Sequence, residues 1–345
     1  MNGGAGFAVS YPEQKKRQKI KKSVAPIKAR QKTEVPYLKY KEWLEEWLTH
    51  YVKPSAKIRT YERYRDLTLH IVPRIGDYEL NDLSPIVLQK FISDLLLSGN
   101  QKTGKGLSPN TVNGVISVVQ SSLKTAFTIG LTETYSADKV KRPKITEKAI
   151  ECFSLTEQKA IENAVLGGKK PKLIGIVICL YTGLRIGELL ALEWTDIDFA
   201  KNMMTVSKSC HYGHDESGKY MRFIDTPKTY HSIREIPLPK QLIPLLKQQR
   251  KDSISNFVVS DHGQPVAVRS YQRSFELLQR KLKIRRRGFH ALRHTFATRA
   301  IECGMDVKTL SEILGHKSPT ITLNRYAHSL MEHKAEMMNR VGKLL

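Results

Sequence analysis

The sequence predicts a multidomain, mainly α fold, in which a helical domain precedes a mixed α+β domain with a small antiparallel sheet. Three observations predict it. Between Tyr37 and residue 135 the apolar residues recur at three- and four-residue spacing, the period of a helix face. From Ser136 to Glu151 that period gives way to a charged, extended stretch. Beyond it, helical patterns enclose short β-type runs separated by Gly213, Gly218 and Pro227. A chain of 345 residues has the length of two domains or slightly more, and 40% hydrophobic residues fill a core in each.

Residues 1–35 read as a flexible basic arm. The first 33 residues hold nine Lys or Arg against a single acid, Glu13, and Gly3, Gly4, Gly6 and Pro26 leave no apolar period. Tyr40, Trp43, Leu44, Trp47, Leu48 and Tyr51 then fall on one helix face. A second helix, Thr60 to His70, is expected to end before Pro73, because proline has no N–H and crowds the preceding turn. Ser84-Pro85 and Ser108-Pro109 each set a capping serine ahead of a proline suited to the first helical turn. In the helix after Pro109, Val112, Val115, Ile116, Val119 and Leu123 form a stripe that packs inside a small bundle. Residues 36–135 are thus a helical domain and 136–152 a linker. Lys139, Lys141, Arg142 and Lys144 of that linker can lie along a phosphate backbone.

The second domain, residues 153–345, opens at Ser154-Leu-Thr-Glu157, a capping-box pattern. A buried helix from Pro171 to Tyr181 is broken at Thr182-Gly183, and helix resumes from Ile186 to Leu192. Met204 to Ser207, Met221 to Asp225 and Ile233 to Pro237 read as the strands of one small antiparallel sheet. Helices follow at Val268 to Leu282, at Ala291 to Cys303 closed by Gly304, and at Asp306 to Leu314 closed by Gly315. Ser318-Pro319 then starts the helix that holds Tyr326. Leu330, Met331, Met337, Met338, Val341 and Leu344 form a final stripe, which either closes its own domain or docks on a neighbouring protomer.

The charge narrows the function. With 57 Lys and Arg against 33 Asp and Glu the chain carries +24, which points to a polyanion partner, above all nucleic acid. A second basic cluster, Arg280-Lys281-Leu-Lys283-Ile-Arg285-Arg286-Arg287, immediately precedes His290. The longest apolar stretch, Leu173 to Leu180, is far short of the ~20 residues a bilayer needs. The charged N-terminus has no apolar segment behind it, so no signal peptide is expected. Cys152, Cys179, Cys210 and Cys303 are scattered without a Cys-x-x-Cys pair, which suggests neither a disulfide scaffold nor a zinc ribbon and fits a reduced, cytoplasmic setting. Zinc held by His290 and His294, or by Cys210, His211 and His214, lacks a matching ligand pair and an acidic third ligand.

Four boxes carry the chemistry. Thr182-Gly183-Leu184-Arg185-Ile186-Gly187-Glu188-Leu189, His290-Ala-Leu-Arg293-His294, Leu314-Gly315-His316 and Tyr326 resemble, in order and spacing, the motif boxes of the tyrosine recombinases, the phage integrase family. The basic arm and long linker make the chain most similar to integrases of phages and conjugative transposons. The resemblance covers residues 36–345. It implies that 36–135 is a core-binding, SAM-like domain and 153–345 the catalytic domain. It also implies six catalytic residues, Arg185, Lys228, His290, Arg293, His316 and Tyr326, with Tyr326 forming an O-(3′-phospho-DNA)-tyrosine intermediate.

The residue types suit that chemistry. A phosphodiester repels nucleophiles and gathers negative charge on its equatorial oxygens in the transition state, and planar guanidiniums such as Arg185 and Arg293 grip those oxygens in pairs. Taken singly, each arginine is as well explained as a partner of Glu188 or Glu302, and Tyr326 as a packed surface tyrosine. A phenol with a reference pKa of about 10 needs neighbouring cations to lose its proton. His290 and Arg293 stand three apart on one helix face, while His294 reads as structural. The resemblance implies that His290 and His316 bind phosphate oxygens and assist proton transfer. It also makes Lys228, in Thr226-Pro227-Lys228-Thr229, the hairpin lysine that protonates the departing 5′ oxygen. Lys208, on the preceding strand, is its rival and reads as a phosphate contact.

Together these readings give a site-specific recombinase that uses neither metal nor cofactor and integrates and excises a mobile genetic element. Its expected partners are double-stranded DNA at core sites, and arm sites for the basic arm, a homotetramer on that DNA, and an accessory excision or DNA-bending protein. Its expected place is the cytoplasm, with the nucleoid. A type IB topoisomerase uses the same chemistry to relax DNA. A catalytically silent DNA-binding protein would keep the fold, but all six catalytic positions are filled.

Overall fold

The computed structural model describes residues 38–146, 151–215, 217–225, 233–316, 318–323, 326, 338–339 and 341–343. The basic arm, Lys228 and most of the C-terminal stripe lie outside the described residues.

Helix α1 (Tyr40–Trp47) runs into a π-helical turn, Leu48–Val52. Tyr40, Trp43, Leu44, Trp47 and Leu48 face inward as their spacing predicts. The π turn adds a residue per turn, so Tyr51 swings out to 44% exposure and Val52 takes the inward place. Helix α2 (Ile58–Ile75) does not end before Pro73 but passes through it. The carbonyl that the missing proline N–H would have met is that of Leu69. It accepts instead from the Gln101 side-chain amide at 2.7 Å, so the helix continues with no orphaned acceptor there. Helices α3 (Pro85–Ser98) and α4 (Pro109–Thr128) start where the Ser-Pro pairs put them, with the Ser84 and Ser108 hydroxyls accepting from the Val87 and Thr111 N–H groups. Ile71, Phe91, Leu95, Val112, Val115 and Val119 share one buried cluster with α1. Inside it, Trp43 donates to the Ser122 carbonyl and the Tyr40 and Ser122 hydroxyls pair, so the buried polar atoms are matched.

A second core begins at α5 (Leu155–Leu166), capped in both directions by Ser154 and Glu157. Helix α6 (Ile174–Thr182) is apolar all round and buried along nearly its whole length, which makes it the axis of this core. After α7 (Ile186–Ala191) come β1 (Ile197–Asp198), β2 (Met203–Val206), β3 (Ser209–His214), β4 (Tyr220–Asp225) and β5 (Arg234–Pro237). The sequence predicts one sheet. The strands instead divide between an antiparallel sheet ordered β1-β2-β5 and a separate β3-β4 hairpin. Helix α8 (Leu242–Lys251) and a short ladder, β6 (Ser260–Asp261) with β7 (Gln264–Pro265), go beyond the sequence reading. Helices α9 (Val268–Lys281), α10 (His290–Glu302) and α11 (Val307–Leu314) follow the expected pattern. Residues 319–323 and Tyr326 are helical.

The hairpin stands apart from the sheet and is held between two helices. It packs on α7, where a Cβ at Gly187 would stand 2.6 Å from the Ser209 hydroxyl and 2.7 Å from the Cys210 carbonyl oxygen. It also meets α2. Glu62 accepts from the His214 backbone N–H at 2.7 Å and pairs with the His214 Nδ1 at 2.7 Å, while Lys57 pairs with Asp225 at 3.1 Å. The hairpin thus joins the two cores. Strand alternation also turns Cys210 and His211 to opposite faces.

Candidate active site

The site is assembled by the two ends of short helices. Helix α6 stops at Gly183, which takes a left-handed conformation at φ 67°, and a Cβ there would strike Phe296 at 2.6 Å and Leu314 at 2.8 Å. That turn delivers Arg185 to the N-cap of α7. Glu188, three residues on, accepts from the Arg185 backbone N–H at 2.9 Å and from its guanidinium at 2.7 Å. The same carboxylate receives Arg234 from β5 on both oxygens, at 2.8 and 3.2 Å.

The C-terminus of α11 gathers three arginines. Its last carbonyls have no intrahelical donors and carry the negative end of the helix dipole. Arg234 Nε donates to the Ile313 carbonyl at 2.6 Å, Arg293 to Leu314 at 2.7 Å, and Arg185 to Gly315 at 3.2 Å. Gly315 makes this possible through its left-handed φ of 64°. Arg293, on α10, also donates to the Gly183 carbonyl at 2.9 Å and is only 2% exposed. The Leu314-Gly315 box is therefore the docking point of the guanidiniums.

The electrostatics are lopsided. Burial disfavours the charge on Glu188, but the hydrogen bonds and attraction of Arg234, with Arg185 behind it, carry its carboxyl down to about 2. Burial and the nearby Arg185 lower the Arg293 guanidinium to about 9, against the pull of Glu188. Arg293 still carries its charge at neutral pH. Three guanidiniums thus surround one carboxylate, and an anion with several oxygens would complete the balance.

Tyr326 is 3% exposed, packed with Ala297, Ala300, Ile301, Leu310 and Leu314. Its hydroxyl lies 2.8 Å from His294 Nδ1. His290 is the first residue of α10, is exposed, and meets the His294 ring edge-on at 4.6 Å. His316 sits just past Gly315, with its Nδ1 2.7 Å from the Thr322 hydroxyl. Of the six residues singled out in the sequence, the structure brings Arg185 and Arg293 onto adjacent carbonyls, places His316 next to them in the chain, and sets His290 and Tyr326 on either side of His294. Lys228 lies outside the described residues. Lys208 is held between Glu193, at 2.5 Å, and Asp196, at 3.5 Å, an internal pairing rather than the open phosphate contact its position suggests.

Sequence reasoning missed Arg234 and undervalued Glu188 and His294. The signals were there for the first two. Arg185-x-x-Glu188 has capping-box spacing. Arg234 and Ile236 share the inward face of β5, and an inward charge on a strand asks for a buried partner. For His294 no sequence signal distinguished a contact with Tyr326.

Comparison with known proteins gives the family. The model of the phage integrase family matches residues 153–333, and that of the phage integrase N-terminal SAM-like domain matches residues 39–96. A XerC-like tyrosine recombinase of Caldanaerobacter subterraneus subsp. tengcongensis is 30% identical over 331 residues, covering 86% of this chain and 81% of the relative. The ICEBs1 integrase of Bacillus subtilis is 27% identical over 307 residues, covering 84% and 80%. Among solved structures, the Tn1549 transposon integrase in complex with transposon right end DNA superposes with a TM-score of 0.73 at 22% identity, covering 88% of this chain and all of that one. A lambda integrase tetramer bound to a Holliday junction gives 0.62 at 18% identity, covering 82% and 79%. These last two likenesses are of fold.

Fold, boxes and relatives together define an enzyme that cuts and rejoins DNA strands at specific sites. The chain belongs to the phage integrase family, the tyrosine recombinases.

Proposed function

We propose that Tyr326 attacks a DNA phosphodiester held by Arg185 and Arg293, forms a 3′-phosphotyrosine link and releases a 5′ hydroxyl. The observation that carries this is the convergence of the two arginines, from different helices, on the adjacent carbonyls of Leu314 and Gly315, with Tyr326 in electrostatic reach of Arg293. The excess of guanidinium over carboxylate is matched by a phosphate whose charge grows in the transition state. His290, three residues before Arg293, and His316, next after Gly315, serve the phosphate oxygens, and Lys228 protonates the leaving 5′ oxygen. Storing the bond in the tyrosine link lets a second strand's hydroxyl reverse the step without a nucleotide cofactor.

The residues divide accordingly. Residues 36–135 bind the core DNA site, 136–152 follow the backbone, and 153–345 carry the chemistry. Two separate hydrophobic cores and two family-model matches support this division. The basic arm, residues 1–35, adds a second DNA contact. The active assembly is a tetramer on DNA, as a lambda integrase tetramer is bound to a Holliday junction, with an accessory DNA-bending or excision protein as a further partner.

The test is incubation with a nicked suicide duplex carrying the cognate core site. The unaltered protein is expected to form a covalent protein–DNA adduct and Tyr326→Phe none. No adduct from the former, or an adduct from the latter, sinks the reading.

A further inference from the structure

We propose that His294 takes the phenol proton of Tyr326 during attack on the phosphodiester. The inference deepens the reading of Tyr326 as nucleophile and rests on it.

A general base must lie within hydrogen-bond reach of the proton it abstracts. His294 Nδ1 lies 2.8 Å from the Tyr326 oxygen, and the two rings are 5.9 Å apart and inclined at 59°. The contact is sheltered, since Tyr326 is 3% exposed, and away from water a hydrogen bond to a neutral imidazole is strengthened. Nδ1 accepts from the phenol when the imidazole carries its proton on Nε2. Helix α10 fixes the geometry. It holds His294 next to Arg293, whose guanidinium Tyr326 influences electrostatically, so acceptor and phosphate clamp are parts of one rigid element. His290, the other imidazole on that helix, is at its exposed first residue and touches the edge of the His294 ring.

The step balances without an added reagent. The Tyr326 oxygen forms a bond to phosphorus, the bond from phosphorus to the 5′ oxygen breaks, the phenol proton moves to His294 Nδ1, and the leaving oxygen takes a proton from the acid, Lys228. On rejoining, the imidazolium returns its proton to the departing phenolate.

The experiment uses the full chain and the nicked suicide duplex. His294→Ala is expected to slow adduct formation by ~10²–10⁴-fold, the range of a lost general base, with DNA binding unchanged. His294→Asn, which puts an amide oxygen near the Nδ1 position but cannot take a proton, is expected to stay slow. An adduct at the unaltered rate in either variant overturns the assignment. A second measurement separates chemistry from structure. In His294→Ala, Tyr326 is replaced by a polyfluorinated tyrosine whose phenol is already ionised at the assay pH and needs no base. Adduct formation should then recover most of the lost rate, and failure to recover it would show a merely structural role and overturn the proposal. Absence of any adduct from the unaltered protein would instead remove the reading of Tyr326 itself.

Discussion

Glu188 and Arg234 form a bidentate ion pair, 2.8 and 3.2 Å long, with both side chains less than a tenth exposed. One lies on a helix that follows the α6 break and the other on a strand some 46 residues later, so the pair fixes β5 against α7. Burying two charges is costly, and the cost is met only while both are present. Removing either partner is expected to destabilise the domain by about 3–5 kcal/mol, measured by urea denaturation of Glu188→Gln and Arg234→Met against the unaltered chain. A loss under about 1 kcal/mol, the level of an exposed pair, would contradict it.

The same pair sets an acid limit. Glu188 holds its carboxyl at about 2, below the 4.5 of an unperturbed glutamate, so the unfolded chain binds its proton first as pH falls. Ionised Glu188 contributes stability on the order of 3 kcal/mol above pH 4.5, and this is lost as the pH falls through the window down to 2. In Glu188→Gln the decline of stability across that window should be shallower than in the unaltered chain. Parallel pH profiles would rule out the contribution.

Gly187 is required by the hairpin's approach and not by its own backbone, since the atoms a Cβ would strike at 2.6 and 2.7 Å are the Ser209 hydroxyl and a main-chain carbonyl. Gly187→Ala is expected to cost about 1–3 kcal/mol, the range of an overpacked core. Gly288 has open space around the Cβ position, so Gly288→Ala serves as a control within about 0.5 kcal/mol of the unaltered chain. Thermal unfolding of the two variants distinguishes them, and equal midpoints would mean the hairpin yields.

Much of this is legible in the sequence. The Ser-Pro starts of α3 and α4 and the Ser154–Glu157 box follow from local hydrogen bonding, which acts over three or four residues. Pro73 misled because its cost was met from afar, by Gln101 reaching the Leu69 carbonyl across 32 positions. The single sheet misled for a similar reason. What draws β3 and β4 away is contact with α7 and with Glu62, and strand propensity does not encode such partners. Arg185, Arg293 and Tyr326 were singled out by their boxes. That the guanidiniums share the end of α11 depends on how three distant segments pack, and no spacing in the chain expresses it.

The Glu62–His214 and Lys57–Asp225 contacts join the two cores through the hairpin. Both are partly buried, and such contacts contribute about 0.5–1.5 kcal/mol each. The double variant Glu62→Leu, Lys57→Met is expected to leave the melting of each core unchanged while trypsin cuts the chain between the two cores severalfold faster. An unaltered cutting rate would mean that other contacts hold them together.

The last prediction concerns the acid for the 5′ oxygen. Lys208 is poorly suited to it, since the hydrogen bond to Glu193 raises its pKa against the opposing effect of burial, and Asp196 adds to the rise. An ammonium held by two carboxylates gives up its proton reluctantly. Of Lys208 and Lys228, that leaves Lys228 as the proposed acid. Lys228→Met is expected to slow cleavage of an ordinary phosphodiester by ~10²–10⁴-fold, with DNA binding retained. Replacing the bridging 5′ oxygen by sulfur should restore most of that rate, because a thiolate departs without a proton. The sulfur substrate should not rescue Arg293→Met, whose defect lies in holding the phosphate. If Lys228→Met is equally slow on both substrates, the leaving group does not depend on that lysine. If Lys208→Met is the variant rescued by sulfur, the proton comes from Lys208 despite its carboxylate partners.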